Sequence, residues 1–434
     1  MSLLIAALVA LCTPAHATKI ERIVSPAGIE FWFVRDATVP LVAVNFSFRG
    51  GSAQDPDDKA GLAEVTVSTL DEGAGELDAT AFQQRLERNA IELQFRSYSD
   101  YIRGTLRTLK EHQDEAFNLL RLALNEPRFE PNAVERMRAQ KVSQLQRQST
   151  SPNTIASRTW WATAFPQHPY ARYATVESVG RITADDMRDY VRRVLARDDL
   201  KIGIVGDIDA ETAGRLVDRT FGALPAKAEL RPVPEASFQA LGNRTVVDMN
   251  VPQAVVTFGS PGLPRSDPDF IAGYIVNHIL GGGSFSSRLY REVREVRGLA
   301  YGVSTSLHWL EKAAVLLGGT ATRSDATAET IDVIEREARR LAAEGPTEEE
   351  LAKAKTYLKG SFALNLDTST KIAAQLVQMQ IDDLGIDYIE RRSAMIDAVT
   401  LADTRRVAKR LLSGGLLVSV VGRPKGVTPR GPGG

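Results

Sequence analysis

Gly-Gly-Gly-Ser-Phe-Ser-Ser-Arg-Leu-Tyr-Arg-Glu-Val-Arg-Glu-Val-Arg-Gly-Leu-Ala-Tyr, residues 281–301, joins two kinds of periodicity. Its three glycines end an apolar helical pattern running from Phe270 to Leu280. A second helix is expected from about Ser284, with Leu289, Val293 and Val296 recurring along one face and the arginines along the other. Gly298 stops it, and Leu299 to Leu307 then alternates like a half-buried strand. Arg294 therefore falls in the last turns of a helix and Tyr301 at the start of a strand, seven residues on. A guanidinium and a phenol held at such a corner could both donate to one peptide carbonyl, or to the oxyanion it becomes. On pattern alone, Arg-Glu-Val-Arg-Glu-Val-Arg reads more simply as a solvated charged face with i,i+3 and i,i+4 pairs.

Working outward, the chain repeats itself. The first part reads as a strand pair, Ile29 to Arg35 and Pro40 to Arg49, closed by Gly50-Gly51, then a helix from Lys59 to Leu70. A helix at Ala79 to Asn89, strands near Ile91 to Ser97 and Tyr101 to Leu109, and helices near Asp114 to Leu124, Asn132 to Gln148 and Asn153 to Phe165 follow. A capping-box-like Thr183 to Asp186 opens a helix to Leu195, and the strand Leu200 to Val205 closes the part. Landmarks of this order return: Val39-Pro40 as Val251-Pro252, Pro131 as Pro346, Thr183 as Thr400 and Val205-Gly206 as Val421-Gly422. Their offsets of 212, 215, 217 and 216 indicate a duplicated domain of about 210 residues.

The expected organisation is thus two homologous domains, residues 20–228 and 246–423, joined by a proline-bearing linker at 229–245 and followed by a disordered tail at 424–434. Hairpins mixed with helical pairs imply an α+β class, with mostly antiparallel sheets covered by helices on one face. Residues 1–17 read as a secretory signal peptide, with an apolar run from Leu3 to Leu11 and Ala15-His16-Ala17 as the cleavage site. The single cysteine, Cys12, lies within it, so a mature chain would carry no thiol, disulfide or cysteine metal ligand. No later stretch approaches the ~20 apolar residues of a membrane span. With 53 Lys and Arg against 54 Asp and Glu, no nucleic-acid partner recognised by bulk charge is expected.

The segment from Arg288 to Val303 resembles the corresponding segment of the pitrilysin/insulinase family of zinc metallopeptidases. The resemblance extends over about residues 25–423, and it implies two α/β-roll domains forming a clamshell. It also implies that Arg294 and Tyr301 contact substrate beside a zinc ion held by another half. Active members carry His-x-x-Glu-His on the first helix of the N-terminal domain, two ligands on one helical face with a carboxylate poised to activate the metal-bound water. The aligned helix here reads Gly61-Leu62-Ala63-Glu64-Val65-Thr66-Val67-Ser68, which places Glu64 and Ser68 at the histidine positions and Val67 at that of the base. The family's third ligand is a glutamate some seventy-odd residues on, and residues 136–176 contain no Asp or Glu. His112, His168, His278 and His308 are scattered and share no helical face, so no metal is expected in this chain.

Phosphate-loop, dinucleotide and serine-elbow patterns are absent as well. A blank metal helix with the Arg/Tyr pair retained resembles the non-catalytic member of two-subunit peptidases of the family. What that implies is a periplasmic, substrate-positioning subunit, inert alone, whose homologous partner supplies zinc and base for cleaving a peptide substrate. Gly281, Gly282 and Gly283 resemble the glycine-rich loop of the mitochondrial processing peptidase's non-zinc subunit, which implies contact with extended peptide. A helix C-cap and tight turn is the equal alternative for them. Two other readings remain open: a scaffolding relative like the peptidase-derived core subunits of respiratory complexes, and a peptidase with a different metal site or none.

Overall fold

Along residues 41–49 the apolar Val42, Val44, Phe46 and Phe48 alternate with Ala43, Asn45 and Ser47, yet every residue from 42 to 48 is buried. A strand covered on one face alone would leave alternate side chains wet, so both faces of this one are packed. The computed structural model describes residues 19–431. The expected leader, with Cys12, and residues 432–434 lie outside them.

In the first half the strands are β1 (Glu21–Val24), β2 (Glu30–Arg35), β3 (Leu41–Arg49), the two-residue pair β4 (Gly73–Ala74) and β5 (Leu77–Asp78), β6 (Glu92–Ser97), β7 (Tyr101–Leu109) and β8 (Lys201–Gly206). The helices are α1 (Leu62–Val67), α2 (Ala79–Arg88), α3 (Gln113–Asn125), α4 (Pro131–Ser149), α5 (Pro152–Ala164), α6 (Val176–Gly180), α7 (Ala184–Val194) and α8 (Ala210–Phe221). The second half carries β9 (Arg244–Val247), β10 (Gln253–Pro261), β11 (Ala300–Trp309), β12 (Ala314–Arg323) and β13 (Leu417–Val421). Its helices are α9 (Phe270–Asn277), α10 (Thr327–Glu344), α11 (Glu348–Ser361), α12 (Ser369–Ile381), α13 (Tyr388–Ala398) and α14 (Leu401–Leu412). Local chemistry marks the starts: Pro131 and Pro152 stand in the first turns of α4 and α5, and Thr175, Thr183, Thr347 and Thr400 form full capping boxes.

The sheets run β1-β2-β8-β3-β7-β6 and β9-β13-β10-β12-β11, so the second repeats the order of the first without its outermost strand. The expected pairing of β2 with β3 does not occur. β8 lies between them, parallel to β2 and antiparallel to β3, and β13 lies likewise parallel to β9 and antiparallel to β10. The reason lies in burial: β2 and β8 are apolar almost throughout, and an apolar strand is satisfied only inside a sheet. The metal-motif helix is also shorter than expected, because residues 57–59 form a 3-10 turn and Gly61, with φ +100°, begins α1. The Asp55 carboxylate accepts from the Gly61 and Ala63 amides at 2.8 Å each and so closes its N-terminus.

One face of each sheet is covered by its own half: Phe31, Phe46 and Phe117 in the first core, Val256, Leu289 and Leu411 in the second. The opposite faces, expected to be free of helices, are covered by exchange. From the second half, α12 lays Ile372, Ala373, Leu376 and Met379 on Trp32, Val34, Ala43 and Val205. From the first half, α5 lays Trp160 and Ala164 on Val315 and Leu417, and Ala156 on Val255 and Val421. Gly203 and Gly259 admit these helices, since a Cβ there would stand 2.6 Å from the Ala373 carbonyl oxygen and 2.7 Å from the Trp160 ring. A side chain from each helix donates into the opposite sheet, Trp160 Nε1 to the Leu417 carbonyl at 3.0 Å and Gln380 Nε2 to the Ile202 carbonyl at 2.9 Å.

The connection between the halves holds no helix or strand over residues 225–243, and β9 begins inside the stretch expected as linker. It is nevertheless pinned, with the Ala236 amide donating to Lys312 and the Gln239 amide to Ala164. The stretch expected as a disordered tail makes contacts as far as Arg430. Arg430 pairs by backbone with Arg244, and its side chain and that of Arg244 both reach the buried Glu335. A buried carboxylate needs such partners, and that need outweighs the tail's proline and glycine content.

Trp160 is fully buried in the exchanged contact. Trp160→Ala is expected to lower unfolding free energy by about 3–5 kcal/mol. Both halves should still melt in one transition in urea, because each loses part of its cover; separate transitions would show that the halves are energetically independent.

Candidate functional site

Where the family helix would present two metal ligands, α1 presents none. Val67 is buried in the core, and the Ser68 hydroxyl donates back to the Val65 carbonyl at 2.9 Å. Glu64 points toward α4, where Lys141 Nζ donates to its carboxylate and, at 3.3 Å, to Gln144 Oε1. Lys141 has a side chain only 9% exposed, against 46% for Glu64. One ammonium thus stands between the helix that carries the motif positions and the helix from which a third ligand would come. Among the described residues no group of three or more His, Cys, Asp or Glu is placed to hold a metal ion. Lys141 was invisible as a site residue in the sequence, although a lysine in a long run without acids was its one signal.

The histidines have local duties. His168 accepts the Tyr170 amide through Nδ1 and meets the Pro234 carbonyl through Nε2, while His308 meets the Ser306 hydroxyl at 2.8 Å. His278 packs on Tyr357 with ring centroids 4.9 Å apart, and burial pushes its pKa down.

The segment from Gly281 to Tyr301 departs from the expected pair of helices. Residues 278–282 and 290–295 are π-helical turns, and residues 284–286 form a 3-10 turn where a helix start was expected. Wide turns of this kind are frequent at functional sites. None of the three takes left-handed φ, and Gly283, at φ −83°, is the C-cap of the 278–282 turn, its amide donating to the His278 carbonyl at 2.8 Å. They are glycines for clearance: an added Cβ would stand 2.7 Å from Thr305 Oγ1 at Gly281, 2.6 Å from Asn277 Nδ2 at Gly282 and 2.8 Å from the His278 carbonyl oxygen at Gly283. The C-cap and tight turn are therefore present at Gly283, with the clearance demanded at all three added to them. Arg288, unremarked in the charged run, anchors the segment. Its buried guanidinium takes both carboxylate oxygens of Glu350, at 2.6 and 2.7 Å, and the Gly345 carbonyl at 3.1 Å. Glu350 is also the reciprocal member of the Thr347 capping box, so one carboxylate ties the segment to the start of α11.

On this anchored turn Arg294 lies four residues after Tyr290, on the same face, with its guanidinium carbon 5.0 Å from that ring and 4.4 Å from the ring of Tyr301. The structure brings Arg294 and Tyr301 together as a stack, not as two side-by-side donors. Tyr301 is 85% exposed at the start of the edge strand β11. Phe285, 72% exposed, extends the row by meeting Tyr290 edge-on at 4.9 Å. Stacking limits the rotamers of Arg294 and leaves the rim of its planar fork free to donate beside the Tyr301 hydroxyl.

The Glu64–Lys141 pair is testable by a double-mutant cycle. Glu64→Ala strands a nearly buried ammonium and is expected to cost about 1–3 kcal/mol in guanidinium titrations. Adding Lys141→Met should return part of that loss, whereas strictly additive losses would show the two are uncoupled.

The model of the insulinase family, peptidase family M16, matches residues 32–175, and that described as peptidase M16 inactive domain matches residues 181–358. A non-peptidase homologue from Helicobacter pylori is 28% identical over 349 residues, 80% of this chain and 80% of its own. An uncharacterised zinc protease of Streptomyces coelicolor is 30% identical over 262 residues, 57% of this chain and 55% of its own. Among solved structures, a peptidase M16 inactive domain from Pseudomonas fluorescens aligns with a TM-score of 0.86 at 24% identity, covering 95% of this chain and 99% of its own. A chain of complex III2 from Candida albicans aligns at 0.76 and 15% identity, covering 93% and 96%. These two likenesses concern the fold, and it is the two family models, together matching well over half of the residues, that place this chain in the insulinase family of peptidases, family M16.

Proposed function

We propose that the chain is the substrate-positioning, non-catalytic subunit of a heteromeric zinc metalloendopeptidase. The observation that carries this reading is a contrast within one molecule. The metal-helix position is closed by the Glu64–Lys141 ion pair, while a half-buried Arg294 stands stacked on the solvent-exposed Tyr301 on an anchored turn. A homologous partner supplies zinc and the general base. Arg294 and Tyr301 hydrogen-bond the substrate carbonyl next to the scissile bond and stabilise the oxyanion as charge develops there. Preorganisation is the gain: the guanidinium is already confined by two aromatic faces, so little rotamer freedom is lost when substrate arrives. Clearance at Gly281, Gly282 and Gly283 keeps the loop low enough for an extended peptide to pass near it. The apolar leader ending Ala15-His16-Ala17 supports export, with the periplasm as the compartment of action. The name of the Helicobacter relative, a non-peptidase homologue, agrees with a chain inert on its own.

The test is reconstitution with the zinc-bearing homologue. Neither the isolated chain nor its metal content should account for cleavage of a fluorogenic peptide, and the mixture should cleave it. Tyr301→Phe removes one donor and keeps the ring under Arg294; it should lower kcat of the mixture by about 10²-fold. Tyr301→Ala removes the stacking face too and should cost more. Arg294→Lys keeps the charge and loses the planar fork, and should fall in the same range as Tyr301→Phe. Subunit association, followed by light scattering, should be unchanged in all three. Undiminished turnover in these variants would leave the scaffolding reading in its place.

A further inference from the structure

Beneath the glycine turn lies a polar side chain that the protein itself leaves incomplete. Asn277, the last residue of α9, is 5% exposed, and its Oδ1 is buried without a hydrogen-bond partner. Its Nδ2 lies over Gly282, 2.6 Å from where a Cβ would stand, and Gly282 is itself exposed. Among the described residues that nitrogen donates to nothing. A buried carboxamide without partners is costly, and an apolar side chain of the same size would carry no such cost. The missing side chain at Gly282 is what opens Asn277 to the surface, since any other residue there would displace its amide.

The notch over Gly282 is uncharged. Its other walls are the carbonyl oxygens of Asn277 and Thr305, 3.2 and 3.3 Å from the same Cβ position, and beside it, over Gly283, stands the His278 imidazole, whose pKa burial pushes down. A carboxylate would meet two carbonyl oxygens there. An extended peptide residue projects its own N–H and C=O to one side, so its carbonyl can accept from Nδ2 while its N–H faces an acceptor. Position along β11 fits the same ligand. Both π-helical turns pack on that strand, Arg294 against Tyr301 at its start and Gly281 and Gly282 against Thr305, four residues further along. At about 3.3 Å per residue the two places are roughly 13 Å apart, the reach of about four extended residues.

We infer that Asn277 is a substrate-binding residue, its Nδ2 donating to a backbone carbonyl of an extended peptide laid across Gly282, about four residues from the bond that is cleaved. The inference rests on the reading of this chain as a substrate-positioning subunit and gives that subunit a second grip on the peptide. The two grips differ in kind. Arg294 and Tyr301 meet charge that develops only in the transition state, whereas Asn277 holds a remote carbonyl equally before and during cleavage, so its contribution falls on KM and not on kcat.

Two measurements test this. In the first, the isolated full chain is titrated against a fluorescein-labelled, uncharged decapeptide of alanine and threonine, followed by anisotropy. The native chain is expected to bind it, and Asn277→Leu and Asn277→Asp to weaken binding about fivefold to tenfold, the worth of one hydrogen bond. Asn277→Leu should leave the urea midpoint at or above its native value, because the carboxamide it removes has no partner to lose; Asn277→Asp keeps the size of the side chain should leucine fail to fold. In the second, the pair reconstituted with the zinc-bearing homologue cleaves a decapeptide and a substrate with two residues on either side of the cleaved bond. Both variants should raise KM for the decapeptide by the same factor with kcat unchanged, and leave the short substrate, which ends before the notch, unaffected. An inactive mixture, with decapeptide binding by the isolated chain still lost in the variants, would count against the peptidase reading and uphold the peptide contact at Asn277. No binding of the decapeptide by the native chain, undiminished binding and KM in folded variants, or equal rises in KM for both substrates would each overturn the inference.

Discussion

Neither sheet of this chain is finished by its own half. The central strands β3 and β10 are buried on both faces, and the second face of each is supplied by a helix from the other half, α12 on one and α5 on the other. Two half-covered sheets would each leave a large apolar surface in water, at roughly 25 cal/mol for every Å² of it. Exchange removes both surfaces at once and ties the orientation of the halves to their separate stabilities. It also makes the small residues at Gly203 and Gly259 obligatory, because the exchanged helices approach the strands too closely for a Cβ. The polar seam of Asp100, Tyr170 and Glu311 and the pinned connection at residues 225–243 then add direction to a contact that burial already imposes.

Within that frame α1 and the segment 288–301 meet their charges in opposite ways. At α1 a charge problem has been solved internally. A metal centre brings together anionic or dipolar ligands around a cation, and here a single lysine ammonium on α4 meets a single carboxylate on α1. The pair needs no metal to be neutral, and its buried member is the cation. At residues 288–301 the opposite holds. Arg288 is held by Glu350 and Gly345, and this buried ion pair fixes a turn on whose outer side Tyr301 stands exposed.

Much of this was legible in the chain. The duplication could be read from capping threonines and Val-Gly strand ends at near-constant offsets, because caps are local chemistry and survive when core residues drift. That Glu64 and Ser68 stand at the family's histidine positions and Val67 at that of its base could be read directly. What could not be read was whatever joins distant positions. The alternation of α12 marks an amphipathic helix without saying which sheet it covers. The insertion of β8 between β2 and β3 runs against the tendency of consecutive strands to pair, and only their near-continuous apolar character hinted at it. Lys141 lies 77 residues from its partner. Composition is likewise silent on the pairing of Arg430 and Arg244 with one buried glutamate, Glu335.

The π-helical turns carry the last step. A helix with the sequence of residues 290–295 gains nothing intrinsic by opening from four to five residues per hydrogen-bonded turn, and its geometry is poorer. The compensation lies at its exit, where the Leu299 amide reaches back to the Val293 carbonyl at 2.8 Å and delivers the chain into β11. That exit sets Tyr301 under Arg294, whereas a regular helix of the same length would rotate the following strand away from it. The cost is borne by a backbone made tolerant through three glycines with no room for side chains and one arginine locked at the segment's base. The wide turn thus places one half-buried cation between two phenol rings, with the apolar core behind it undisturbed.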